Sequence, residues 1–213
     1  MKLQKIEAYL VKLGQFVIEK QTDKMKIVTI PHPSLRSLAM PVVDFGMDLR
    51  NLVKDMQNTL QKTTNPRGVG LAAPQVDQLW QVFLTDIEDR ALTESTDPKV
   101  FINPHLVKHS KEHTFGPDPD NPRLEGCLSM PGLYGAVPRW QWIEVEFQSL
   151  QDERVVDKKE RFDGFQARVV QHEIDHLSGR LFTDYSLELG LPVYREEGKE
   201  LVEITDRLAL ELY

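Results

Sequence analysis

Cysteine is almost absent. The 213-residue chain has one, Cys127, so no disulfide forms within it, which fits a reducing compartment. Long apolar runs are missing as well, and no stretch approaches the roughly 20 residues that cross a bilayer. The first residues do not read as a secretory signal. Lys5, Glu7 and Lys12 interrupt any apolar stretch, and no small-residue cleavage site follows. Glu7 and Glu19 argue against an organellar transit peptide, although they leave an organellar address open. There is no surplus of positive charge. The formal net charge is −7, from 26 Lys and Arg against 33 Asp and Glu. That argues against nucleic acid as the main partner, because phosphate backbones are bound by clustered Lys and Arg. Repeats and low-complexity segments are absent. So is a phosphate loop: Gly68-Val69-Gly70-Leu71-Ala72-Ala73-Pro74-Gln75 has neither the G-x-G-x-x-G spacing nor the Walker lysine.

What is present is ordinary for a globular protein: 40% hydrophobic and 28% charged residues. The length predicts one domain over residues 1–213, with a substantial core. The default reading is a cytoplasmic enzyme with no membrane partner.

Periodicity gives the elements. Leu3, Ile6, Leu10, Leu13 and Val17 form an apolar stripe that predicts an N-terminal helix over residues 3–20. Residues 26–30 read as a short strand. Leu49, Leu52, Val53, Met56 and Leu60 predict a helix over residues 46–62, with Asp44 as its cap. Residues 68–75 read as a tight turn into a strand, with glycines where backbone approaches something closely. Residues 80–85 and 100–102 read as strands, and 109–123, with three prolines, as a surface loop. Residues 142–147 and 154–162 read as strands paired through a polar turn at 151–153. Residues 185–192 read as irregular. A last helix is expected over residues 195–212, with Leu201, Ile204 and Leu208 inward. Hairpins with separate helices predict an α+β fold: antiparallel or mixed sheets around a central helix, with extra helices at both termini.

That central helix carries Gln171-His172-Glu173-Ile174-Asp175-His176-Leu177, which contains His-Glu-x-x-His. Residues four apart on a helix share a face, with Cβ atoms about 5–6 Å apart. His172 and His176 can therefore offer two imidazoles to one metal ion. Glu173, beside the first, can take a proton from water without binding the ion. Asp163 is a candidate N-cap and Gly179 a candidate stop. A helical histidine pair is more often surface or core than ligand, and two ligands make an incomplete site. Catalytic centres use three protein ligands and an open position. A third histidine six residues on is ruled out, because that residue is Phe182. Glu188, Glu196, Glu197 and Glu200 remain candidates by distance. Cys127 in Glu125-Gly126-Cys127-Leu128-Ser129-Met130-Pro131-Gly132 is the other, although a lone cysteine is usually a small hydrophobe.

Three blocks, residues 68–75, 125–132 and 171–179, resemble the three signature motifs of the peptide deformylases, in order and at similar separations. His32-Pro33-x-Leu35-Arg36, Pro41-Val42, Asn103-Pro104, Val137-x-Arg139 and Asp163-Gly164-Phe165 agree with the same family. The resemblance covers about residues 25–190 and leaves residues 1–24 and about 195–213 as extensions. Departures are small. Asp77 stands where the family more often has Gly, Ser178 where Asn is common, and the 109–123 loop is extended.

The resemblance implies hydrolysis of the N-formyl group of formyl-methionine on nascent polypeptides, releasing formate. It implies one divalent ion on Cys127, His172 and His176. Fe²⁺ is the usual ion, and zinc, nickel or cobalt can substitute. Glu173 would be the general base, and Gln75 with the Leu128 N–H would stabilise the oxyanion. Val69 and Gly70 would pair with the peptide backbone. Glu125 and Arg139 are expected to form an ion pair that holds the Cys127 strand. Two other readings are a zinc endopeptidase with a downstream glutamate ligand and a non-catalytic module at the ribosome. Residues 195–211 carry three positive and six negative side chains, so the C-terminal segment is expected to be structural and any ribosome contact to be transient and elsewhere.

Overall fold

The computed structural model describes residues 25–87, 97–118, 122–151 and 154–206. The expected helix at 3–20 lies outside them. Helix α1 is Met47–Gln61, and β1 (Gly70–Ala72), β2 (Val82–Thr85), β3 (Lys99–His109), β4 (His113–Thr114) and β5 (Leu124–Cys127) follow. Next come β6 (Met130–Ala136), β7 (Arg139–Trp140), β8 (Trp142–Gln151), β9 (Arg154–Asp163) and helix α2, Gly164–Leu177. Helix α3 is Phe182–Leu189, and β10 (Val193–Glu197) with β11 (Glu200–Glu203) ends the described chain. One antiparallel sheet has the order β1-β2-β3-β8-β9, another β11-β10-β6-β5, and β4 pairs with β7. The fold is α+β, with α2 packed against β1, β2 and β9.

Periodicity locates α1 well. Its five apolar positions are all buried, against Leu71, Val82, Leu84 and Ile102 of the larger sheet. Asp44, expected as the cap, lies two residues outside the N-cap position. Gly46 is the N-cap residue, and its N–H donates to Asp44 Oδ1 at 2.9 Å. On the sheet's other face, Phe83, Phe101 and Phe147 stack in series with ring centroids 4.4 and 4.3 Å apart, against Ala167 and Val170 of α2. Strands β8 and β9 pair over their full length as the alternation implied, from Trp142 opposite Asp163 to Gln151 opposite Arg154.

Two short motifs outside the three blocks meet in space. Asn103, at φ 49°, donates from Nδ2 to the Val42 carbonyl at 2.8 Å and accepts the Val42 N–H at 2.7 Å. Asparagine is among the few residues that tolerate this conformation. Asp77 also has positive φ, 59°, which explains why glycine suits that position.

Four expectations need correction, the first being the 109–123 loop, in which His113 and Thr114 form β4 and pair with Trp140 and Arg139. Residues 26–30 are not a strand. The Val28 N–H donates to the Gln75 carbonyl (2.8 Å) and the Ile30 N–H to Ser129 (3.1 Å), so the segment ties two motif blocks together instead of joining a sheet. Residues 185–192 are not irregular throughout, because α3 runs to Leu189. Asp184 Oδ2 accepts the Leu181 N–H at 2.8 Å to start that helix, and Gly190 at φ 68° stops it. Of the helix expected over 195–212, the described part, residues 195–206, forms most of the hairpin β10–β11 instead. Gly198, at φ 68°, turns the chain with Lys199, and Glu197 and Glu200 face each other across the turn. Leu201 is half-exposed and Ile204 packs on the core with Val193 and Phe182, while Leu208 lies outside the described residues.

The hairpin's role is testable. Truncation before Val193 removes Val193 and Ile204 from that cluster and bares the edge of β6. Burying such side chains stabilises by about 1.5–3 kcal/mol each. At this size about 1 kcal/mol moves Tm by roughly 2–4 °C. Tm is expected to fall by roughly 10 °C, read by calorimetry. An unaltered Tm would remove the hairpin from the stability argument.

Candidate metal centre and peptide cleft

Helix α2 carries the centre, and glycines bound it. Gly164 starts the helix at φ 54°, its N–H donating to the Gln141 carbonyl at 2.9 Å. Asp163 is the N-cap residue but makes no side-chain cap, since its carboxylate is held by Arg161. Gly179, at φ 71°, ends it. A Cβ there would lie 2.7 Å from the Arg36 carbonyl carbon, so only glycine fits.

His172 and His176 project one turn apart, with ring centroids 5.0 Å apart and nearly perpendicular. At the end of β5, Cys127 Sγ stands 3.3 Å from His176 Nε2. One ligand atom from each of these three residues lies within 4.8 Å of the others, and among the described residues no other His, Cys, Asp and Glu group forms such a set. The competing glutamates are engaged elsewhere: Glu188 with Arg180, Glu196 with the Tyr134 hydroxyl, Glu197 with Arg195. Glu200 is on the exposed strand β11.

The surroundings suit a cation. His172 Nδ1 is 3.1 Å from Glu125 Oε2, which fixes the proton on Nδ1 and leaves Nε2 for a metal. Glu125 also accepts from Arg139 Nε (3.0 Å) and Nη2 (2.8 Å) and from Arg168 Nη1 (2.7 Å). Burial alone would raise its pKa, but Arg139 and the hydrogen bonds from His172 and Arg139 outweigh it and hold the carboxyl well below the usual range. The expected Glu125–Arg139 ion pair is thus present, and it belongs to a larger buried network. Arg139 also reaches Asp175, whose carboxylate accepts from the Tyr185 hydroxyl at 3.1 Å. Arg168 donates further to the carbonyls of Val137 (2.8 Å) and Thr114 (2.7 Å). Sequence reasoning missed Arg168, Asp175 and Tyr185. The available signal was Arg168, a charge four residues before His172 on the same helix.

Glu173 is 3% exposed, and its Oε2 is buried without a hydrogen-bond partner among the described residues. Burial pushes its pKa up to about 7, with His172 and Arg139 pulling down and Glu125 and Asp175 pushing up. Gly70 of β1 lies directly against it, and any side chain there would overlap the carboxylate. Gln75 is fixed at both ends of its amide. Oε1 accepts the Ala72 N–H at 2.8 Å, and Nε2 reaches Ser129 Oγ at 3.2 Å and Cys127 Sγ at 3.4 Å. The centre lies in a cleft of about 270 Å³ lined by residues of all three blocks, among them Val69, Gly70, Gln75, Cys127, Leu128 and Glu173. Val69's carbonyl is already engaged by the Asp86 N–H at 2.8 Å. The cleft separates two sheet edges. β1 ends one sheet and β5 the other, and each has a strand partner on one side only among the described residues.

The family model of polypeptide deformylases matches residues 24–190. A peptide deformylase of Acinetobacter baumannii is 35% identical over 184 residues, covering 86% of this chain and 94% of that protein. One of Chloroflexus aggregans is 40% identical over 159 residues, covering 70% and 78%. The solved peptide deformylase of Legionella pneumophila, 33% identical, superposes with a TM-score of 0.62 over 75% of this chain and 84% of that one. That of Synechococcus elongatus, solved with actinonin, is 32% identical with a TM-score of 0.64 over 78% and 82%. With its three motif blocks gathered around one centre, the chain belongs to the peptide deformylase family.

Proposed function

We propose that the chain removes the N-formyl group from formyl-methionine on nascent polypeptides, using a divalent ion held by Cys127, His172 and His176. Deformylation is the activity of the family, and the ligand set and residue roles are our reading. One observation carries them: a buried carboxylate, Glu173, whose Oε2 has no hydrogen-bond partner among the described residues, stands beside a Cys-His-His set at the base of a cleft between two sheet edges.

The bound ion would act as a Lewis acid on water and on the formyl oxygen. Glu173 takes the proton of the attacking water at its free Oε2 and returns it to the departing amine. Negative charge then develops on the formyl oxygen. Gln75 Nε2 and the Leu128 N–H are the donors for it, typically worth about 2.7–4 kcal/mol each. Gln75 is suited to this because the Ala72 N–H fixes which end of its amide faces the centre. Gly70 pairs with the peptide backbone at the open edge of β1, beside Val69 whose carbonyl is held by Asp86, a recognition mode that tolerates many sequences. The methionine side chain sits by Leu128, Val169 and His172, which line the cleft.

Fe²⁺ is the ion we assign, with zinc, nickel or cobalt able to replace it in a set of this softness. A cytoplasmic place of action, close to the ribosome, goes with this substrate. No helix among the described residues is long and apolar enough to cross a membrane.

The direct test is formate release from formyl-Met-Ala-Ser by freshly purified protein under anaerobic conditions, with metal analysis of the same sample. No release from metal-replete protein would refute the reading. Cys127→Ser is expected to lose metal on dialysis that leaves the wild type loaded. Iron-loaded wild type is expected to lose activity in air within hours. Activity that persists for days would show that the working ion is not iron.

A further inference from the structure

Beside the cleft, and in contact with its lining residue Tyr134, stands a carboxylate that the deformylation chemistry does not use, Glu196. In the hairpin register, Tyr194 lies opposite Tyr134 and Arg195 opposite Leu133, which brings Glu196 level with Gly132. Gly132 and Gly126 both lack side chains, so two long side chains can lie across the sheet. A Cβ on Gly132 would meet the Cβ of Glu196 at 3.9 Å, and one on Gly126 would meet the Tyr134 ring at 2.9 Å. Tyr134 is the cross-strand partner of Gly126 on β5. Its ring therefore covers the strand beside which a peptide would lie. Its hydroxyl donates to Glu196 Oε2 at 3.4 Å. Gly126, Gly132, Leu133 and Tyr134 all line the cleft.

Glu196 itself is exposed and has no cationic partner among the described residues, whereas Glu197 next to it is held by Arg195. Burial and the Glu196 charge push the Tyr134 hydroxyl pKa up, so the hydroxyl remains a donor. The cations of the cleft stand on other elements and are occupied. Arg67 reaches Asp86, and Arg123 lies over the Phe165 ring at 4.6 Å.

We infer that Tyr134 and Glu196 form a subsite for a Lys or Arg side chain within the three residues that follow the formyl-methionine. Because strand side chains alternate in face, a peptide laid along β5 presents every second side chain to the face that carries Tyr134. The aliphatic stem of Lys or Arg lies on the Tyr134 ring, and its charge meets the ring face and the Glu196 carboxylate. The hairpin that supplies Glu196 lies beyond residues 24–190, the region that the family model matches, whereas Tyr134 lies within it. The inference rests on the deformylase reading.

The test uses three formyl-Met tetrapeptide series, with Lys, Ala or Glu placed in turn at the second, third and fourth residues. The full-length metal-loaded enzyme is assayed for formate release. At one of these positions, kcat/KM for Lys is expected to exceed that for Glu by about two- to fivefold, the range of exposed ion pairs, and to narrow with added salt. Glu196→Gln should bring that ratio close to one, and Glu196→Lys should invert it. Equal rates for Lys and Glu at all three positions in the wild type, or a ratio that Glu196→Gln and Glu196→Lys leave intact, would overturn the subsite. Failure to release formate from any peptide would instead strike at the deformylase reading itself.

Discussion

Glu173→Ala lowers kcat by at least about a hundredfold and leaves the metal in place. General acid–base groups contribute typically 10²–10⁴-fold. Glu173 is the only carboxylate on α2 whose buried oxygen is left without a partner, whereas Asp175, two residues on, is held by Arg139 and Tyr185. Removing a base that is not a ligand separates chemistry from metal binding. Elemental analysis should find close to one ion per chain, and steady-state assays the rate loss. Glu173→Gln, which keeps the volume against Gly70, should be as inactive. Wild-type turnover in either variant would take Glu173 out of the mechanism. The pH dependence follows in sign. A carboxyl raised to about 7 by burial works as a base only when ionised, so kcat/KM falls as pH drops through its pKa. A bound cation favours the ionised form, so the acid limb belongs at or below about 7.

Glu125→Ala is the second large effect, and it acts on stability first. Glu125 is the shared acceptor for Arg139, Arg168 and His172, and all three are buried or nearly so. Without it, Arg168 keeps only the carbonyls of Val137 and Thr114, and Arg139 keeps Asp175. Breaking a buried charge pair from one side costs about 3–5 kcal/mol. Denaturant unfolding should show a loss of that size. Metal affinity should fall roughly 10–100-fold, because His172 loses the group that fixes its tautomer. The wild-type contribution is also pH-dependent. The Glu125 pKa is depressed in the folded chain, so its stabilisation is present above the ordinary value of 4.5 and lost as pH falls towards its folded value. A Glu125→Ala protein as stable as the wild type would show the network to be dispensable.

The residues that were legible in the sequence are those whose signal is local. The α1 stripe and the alternation of β8 and β9 each declare their own buried face. His172 and His176 declare a shared helical face. Cys127 could not be tied to them by periodicity. It sits 45 residues before His172, and family resemblance supplied the link that the fold then made visible at 3.3 Å from His176. The buried network was illegible for the same reason. Arg139 and Asp175 are 36 positions apart, and nothing in either neighbourhood names the other. The C-terminal misreading had a different cause. Leu201, Ile204 and Leu208 fit a helical stripe, but Gly198, just ahead of them within the expected helix, costs about 1 kcal/mol in a helix and turns a two-residue hairpin at no such cost. Pairing with β6 then decided between them.

The two sheet edges at the cleft also bear on how these molecules behave toward one another. A strand edge open to a peptide is equally open to the same edge of a second molecule, so the substrate site is a place where chains could stack. Length limits this. β1 is three residues and β5 four, and a pairing that short holds poorly unless a deep pocket anchors one end of the incoming strand. A formylated methionine supplies such an anchor and a folded neighbour does not. The ten-residue edge strand β9 is guarded in another way, by Arg154, Lys158, Lys159 and Arg161 along its length. The chain therefore keeps its adhesive edges small and its long edge charged, which favours dispersion at high concentration without closing the cleft.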